Sequence, residues 1–131
     1  MPILNVKISA VKSKEMTNAV SHILLELTTR ILHKDPNLTS IAIDYVDPED
    51  WIVGGKSLAE QRKSSVYFDI KITDETNTKD EKAQYIREAF DGFAALLGNL
   101  HEESYIYVQD VRAASYGYGG VTQEYRYQAA A

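Results

Sequence analysis

Two stretches of this chain repeat one another. Val6-Lys7-Ile8-Ser9 returns as Ile70-Lys71-Ile72-Thr73, 64 positions later. Ser40-Ile41-Ala42-Ile43 returns as Ser104-Tyr105-Ile106-Tyr107 at the same offset, and Gly54-Gly55 returns as Gly119-Gly120 one position further on. Asn37-Leu38 and Asn99-Leu100 stand ahead of the two later stretches. Correspondences held in one order make the chain one unit written twice, over residues 2–63 and 64–128. Each half reads as a β-α-β unit followed by a glycine-closed turn.

Local patterning agrees with that division. Leu4, Val6 and Ile8 alternate with Asn5 and Lys7, and Phe68, Ile70 and Ile72 alternate with Asp69 and Lys71, as half-buried strands do. Between the strands of the first half, Met16, Val20, Ile23, Leu27 and Ile31 recur at helical spacing, with Ser13 placed to cap the start. The second helix is expected to open on a Thr78/Glu81 capping box, to turn Ala83, Ile86, Phe90, Phe93 and Leu97 inward, and to end at Gly98. The stretch from Lys56 to Ser65 is polar and reads as an exposed linker.

A strand, a crossover helix and a parallel strand wind right-handed, so both helices can lie on one face of a four-stranded mixed sheet. The expected class is α+β: two layers, a tandem β-α-β repeat in one domain spanning residues 1–131. The uncovered sheet face, mixed in polarity, suits packing against further copies of the chain and favours a symmetric oligomer.

Composition matters for what it excludes. With no cysteine there are no disulfides, no thiol catalysis and no thiolate zinc site. A net charge of -5 without an isolated basic cluster argues against a nucleic-acid partner. No apolar run has bilayer length and the start lacks a secretory pattern, so no membrane partner is expected and the location is read as cytoplasmic. His22, His33 and His101 have no ligand spacing with a carboxylate, and the Gly-Gly turns lack a nucleotide-cradling context, so neither metal nor cofactor is expected.

Pro2 begins the first strand, where a residue without an amide hydrogen costs the ladder little. Position alone gives it that structural role. Together with Pro2, however, an ordered set of motifs resembles the tautomerase superfamily. Thr78-Lys79-Asp80-Glu81-Lys82-Ala83-Gln84-Tyr85-Ile86-Arg87-Glu88 is similar to the helix of 4-oxalocrotonate tautomerase. Trp51-Ile52-Val53-Gly54-Gly55 and Tyr116-Gly117-Tyr118-Gly119-Gly120 resemble that family's aromatic-x-x-Gly-Gly closing turn. Lys34-Asp35-Pro36 with Ile41-Ala42-Ile43, and Tyr105-Ile106-Tyr107 with Asp110, are similar to parts of macrophage migration inhibitory factor.

The resemblance covers nearly the whole chain. It implies the tautomerase fold, a homotrimer, and a cofactor-free keto-enol isomerase acting on a small anionic 2-oxo acid or an enol such as phenylenolpyruvate. Its base would be the amino-terminal proline, Pro2 after removal of Met1. A free α-amino group titrates near about 8, and partial burial or a neighbouring cation would lower that further. The resemblance also implies substrate contacts: Lys34 beside the proline, Lys12 where the oxalocrotonate branch has an arginine, Trp51 as an apolar wall, and Tyr105 from a neighbouring subunit. Arg112 offers a further contact from the loop after the last strand, and the run from Tyr116 to Tyr127 reads as inter-subunit packing.

Departures narrow the chemistry. Ala42 and Ile106 stand where the oxalocrotonate branch has an arginine, and Asp74 and Asn77 stand where the chloroacrylate dehalogenases need theirs. Dehalogenation and decarboxylation are weakened accordingly. Two alternatives stay open: a hydratase- or dehalogenase-like relative acting on an unsaturated acid, with Glu49 or Asp50 activating water, and a trimeric binding protein without turnover.

Overall fold

In the computed structural model, which describes residues 2–130, the chain opens with strand β1 (Ile3–Ile8), crosses through helix α1 (Lys14–Arg30) and returns in β2 (Ser40–Tyr45), parallel to β1. A hairpin of β3 (Ile52–Val53) and β4 (Lys56–Ser57) follows, then the one-turn helix α2 (Leu58–Gln61). The second half takes the same course. Strand β5 (Val66–Thr73), helix α3 (Lys79–Leu97) and the parallel strand β6 (Tyr105–Val111) lead to a hairpin of β7 (Gly117–Tyr118) and β8 (Val121–Thr122), and then to α4 (Gln123–Ala130).

The four long strands form one mixed sheet in the order β2-β1-β5-β6. The halves meet through β1 and β5, which run antiparallel with Ile3 opposite Lys71 and Ile8 opposite Val66. This register decides where the closing hairpins go. Each strand pair within a half is parallel, so the β3–β4 hairpin emerges at the end of the sheet where β5 begins. The β7–β8 hairpin emerges, in turn, where β1 begins. Each half therefore roofs the other half's start.

One face of the sheet is the core. Leu4, Val6 and Ile8 of β1 and Phe68, Ile70 and Ile72 of β5 are wholly buried beneath Val20, Leu24 and Leu27 of α1 and Tyr85, Ala89 and Phe93 of α3. Full burial of one such side chain stabilises the fold by about 1.5–3 kcal/mol before chain entropy is counted. Phe68 meets Tyr85 edge-on with ring centroids 6.2 Å apart and Phe93 at 6.0 Å. Both long helices start as expected: Ser13 Oγ accepts from the Met16 N–H at 3.0 Å, and the Thr78/Glu81 capping box is complete. The hairpins turn on Gly54-Gly55 (φ +64° and +82°) and Gly119-Gly120 (φ +63° and +83°), left-handed pairs that glycine adopts without steric cost.

Two expectations need correction. The buried stripe of α3 is Tyr85, Ala89 and Phe93, while Ala83 and Ile86 face solvent. A tyrosine can sit at the centre because its hydroxyl finds the Thr28 hydroxyl at 2.8 Å, so its polar tip is satisfied inside. The stretch from Lys56 to Ser65 is no simple exposed linker either. Ser57 Oγ accepts from the Glu60 N–H at 3.1 Å to start α2, Leu58 is wholly buried, and Ser65 is locked to Ser9. The opposite face of the sheet is bare within one chain, and leaves Tyr105 60% and Tyr107 54% exposed.

Candidate active site

The start of β1 is fixed by its neighbour: the Ser40 N–H donates to the Pro2 carbonyl at 3.1 Å. Pro2 lines a hollow of about 480 Å³. Its own half contributes Asn37, Leu38, Thr39 and Ser40, set by a short 3-10 turn, Pro36–Leu38, whose Asn37 N–H is capped by Asp35 at 2.9 Å. The other half contributes Tyr116, Gly117 and Tyr118 of its hairpin, with the Tyr116 hydroxyl held against that of Thr73 at 2.7 Å. Gly117 is required by packing, since a Cβ there would run into the Val121 carbonyl oxygen. Among the described residues no charged side chain lines this hollow. Aromatic walls with a few polar atoms suit a small organic molecule.

A second hollow, of about 610 Å³, lies at the opposite end of β1 and β5. Trp51, Ile52 and Val53 of the first-half hairpin stand over Lys7 and Tyr67, with Glu103 and Tyr105 alongside. By the repeat offset Trp51 answers to Tyr116, Tyr67 to Ile3 and Glu103 to Thr39. At the place of Pro2 stands Val66, an in-chain residue whose amide N–H reaches Ser104 Oγ at 3.3 Å. An amide nitrogen tied into a strand has no basicity to offer.

The sequence-derived site residues are therefore divided. Trp51 and Tyr105 come together, but in the second hollow rather than around Pro2. The Tyr105 hydroxyl donates to the Glu103 carboxylate at 2.5 Å, and that bond pushes the phenol pKa above its ordinary value. Lys34 is outside both linings; its ammonium donates to Thr76 Oγ1 at 2.8 Å. Burial lowers the Lys34 pKa, against the opposing pull of Glu81 and Asp110. Lys12 and Arg112 are exposed and line neither hollow. Tyr116 and Tyr118, read from sequence as packing between subunits, line the Pro2 hollow instead. The repeat contained the signal, because the Tyr-x-x-Gly-Gly turn of one half belongs over the other half's first residue. Among the described residues no three side chains of metal-ligating type are grouped to hold an ion, and no helix is long and apolar enough to cross a membrane.

No protein-family model matches the chain. A probable tautomerase K2 of Dickeya dadantii (strain 3937) is 30% identical to it over 70 residues, which is 98% of that protein and 50% of this chain. The chain belongs to the tautomerase superfamily. It is a fused, double β-α-β tautomerase-superfamily chain, about two such units long. Among solved structures, the F6 fused 4-OT wild type asymmetric trimer matches with a TM-score of 0.80 and 15% identity over 95% of this chain and 98% of that chain. A macrophage migration inhibitory factor-like protein of Entamoeba histolytica matches with a TM-score of 0.75 and 16% identity over 92% and 97% of the two chains. At such identities the likeness shows the fold: a four-stranded mixed sheet with helices, built as in these tautomerase-superfamily proteins.

Proposed function

We propose that this tautomerase-superfamily chain catalyses cofactor-free keto-enol tautomerisation of a small anionic 2-oxo acid or enol, with the Pro2 amine, freed by removal of Met1, as general base. One observation carries this: Pro2 stands in a hollow that has aromatic rings from the opposite half and, among the described residues, no charged side chain in its lining. In such a place partial burial disfavours the protonated amine, so the base form is present near neutral pH. The amine takes a proton from the carbon next to the carbonyl. The C–H electron pair becomes the carbon–carbon double bond, charge moves onto the oxygen, and the proton is returned at another atom, so nothing is gained or lost. Asn37 and Ser40 line the hollow, and we assign their side chains to hydrogen-bond the developing enolate, since the Thr39 hydroxyl is already given to the Asp35 carbonyl.

Lys34, Lys12 and Arg112 are the cations we assign to drawing in the substrate carboxylate, with Lys34 foremost because burial already disfavours its solvation and lowers its pKa. Trp51 and Tyr105 are left out of the Pro2 site within one chain. The bare sheet face, with Tyr105 and Tyr107 exposed, supports assembly into a homotrimer.

Ketonisation of phenylenolpyruvate by the wild type and by Pro2→Ala tests the proposal. A loss on the order of a hundredfold or more is expected, and equal rates would remove Pro2 from the chemistry. A rate no greater than the buffer's for the wild type would favour a binding protein instead. The hydratase alternative asks for Glu49 or Asp50 beside Pro2. Both sit on the exposed 3-10 turn Pro48–Asp50 and neither lines the hollow.

A further inference from the structure

We infer that the Trp51 hollow is a second binding site, without catalysis of its own, for a small planar carboxylate. The inference does not rest on the chemistry proposed for Pro2. It starts from a difference between the two copies of one strand. Asn5 and Lys7 in β1 answer to Asp69 and Lys71 in β5. Lys71 is neutralised by the Asp69 carboxylate at 2.7 Å, and it does not line the Pro2 hollow. Lys7 has the uncharged Asn5 in place of that partner, makes no ion pair among the described residues, and lines the Trp51 hollow.

Lys7 is thus a cation held in no ion pair among the described residues, in a hollow walled by Trp51, Tyr67 and Tyr105, with Asp44 opposite it on β2 and Glu103 alongside. The remaining charged group there, Glu103, already accepts the Tyr105 hydroxyl at 2.5 Å. Rings on the walls select a flat ligand, and the free ammonium selects a carboxylate. The volume of about 610 Å³ accommodates a single aromatic ring with its acid group. Val66, where the other copy has Pro2, supplies an amide already bonded to Ser104, so a ligand held here meets no counterpart of the Pro2 amine.

Trp51 is the chain's one tryptophan, so its indole N–H resonance reports on this hollow alone. The probe is benzoate, which cannot tautomerise, with benzamide as its uncharged counterpart. Titrated into the wild type and into Pro2→Ala, benzoate is expected to shift the indole signal saturably and with the same midpoint in both proteins. Benzamide is expected to bind about tenfold more weakly, and Lys7→Gln, a change at an exposed position, to weaken benzoate by a similar factor. Absence of a saturable shift would overturn the inference. So would a shift lost in Pro2→Ala, which would put Trp51 in the Pro2 site of a neighbouring copy, or an undiminished affinity in a folded Lys7→Gln. Because ketonisation is read separately, failure here and failure of the Pro2 proposal give different results.

Discussion

The Pro2 hollow and the Trp51 hollow are built by the same repeat and end differently. Each has an aromatic-x-x-Gly-Gly hairpin standing over the start of the other half's strand. At one end that start is Pro2; at the other it is Val66, joined on both sides to the chain. Duplication can copy walls, strands and turns. If Pro2 is the amino terminus, as proposed, duplication cannot copy that feature, because a fused chain has one. On the proposed reading the Trp51 hollow has no base to hold, and the strand that reaches it carries Asn5 and Lys7 where its copy carries the Asp69–Lys71 ion pair.

The comparison can be broken first in the core, where the expected effects are largest. Phe68 is the counterpart of Leu4, and both are wholly buried, but Phe68 also packs against the rings of Tyr85 and Phe93. Phe68→Ala is expected to cost about 4 kcal/mol and Leu4→Ala about 3 kcal/mol, read from urea midpoints. The reverse order would mean that the two halves do not share the core as described.

At the hairpins, Gly117 and its counterpart Ile52 differ in what they tolerate. Gly117→Ala forces β7 away from Val121 and displaces Tyr116 and Tyr118. Ketonisation should fall on the order of a hundredfold, with the Trp51 indole signal unmoved. Ile52→Ala should leave the rate alone. An unimpaired Gly117→Ala would detach the second-half hairpin from the Pro2 site.

The smallest contrast is between the helix starts. Glu81 accepts the Thr78 N–H at 2.8 Å and a hydrogen bond from the Asn77 side chain, and these bonds hold its pKa below the usual carboxylate range. A lowered folded-state pKa gives stability that is present above the unfolded value and lost as pH falls through the folded one. The wild type should therefore weaken in acid, and Glu81→Gln should show less of that weakening. Equal acid dependence of their urea midpoints would contradict the capping assignment for α3. The serine cap of α1 has no titratable partner in its bond, so its contribution should not change over the same range.

Strand alternation, helix caps and the Gly-Gly turns made most of this fold legible in the sequence, because each follows from local chemistry. Tyr85 was hidden because a stripe counted from apolar residues passes over a phenol, and what allows its burial is Thr28, 57 positions away. Leu58 was hidden by the polar residues around it. The site was legible in its parts, but not in how one chain groups them. Pro2, Trp51 and Tyr105 were all identifiable, yet spacing along the chain cannot say which half's hairpin covers which half's start. That is set by the antiparallel register of β1 and β5. The contact of Lys34 with Thr76 was hidden for a similar reason, since Thr76 lies in the other half.

The account turns on one nitrogen being an amine where its counterpart is an amide. The chain has three prolines, Pro2, Pro36 and Pro48, so the protein labelled with 15N-proline offers three nitrogen resonances to follow across pH. One should move sigmoidally with a midpoint at or below about 8, while Pro36 and Pro48 stay fixed as amides. Three resonances that all stay fixed would mean that Pro2 carries no basic nitrogen, and the contrast between the two hollows would lose its chemistry.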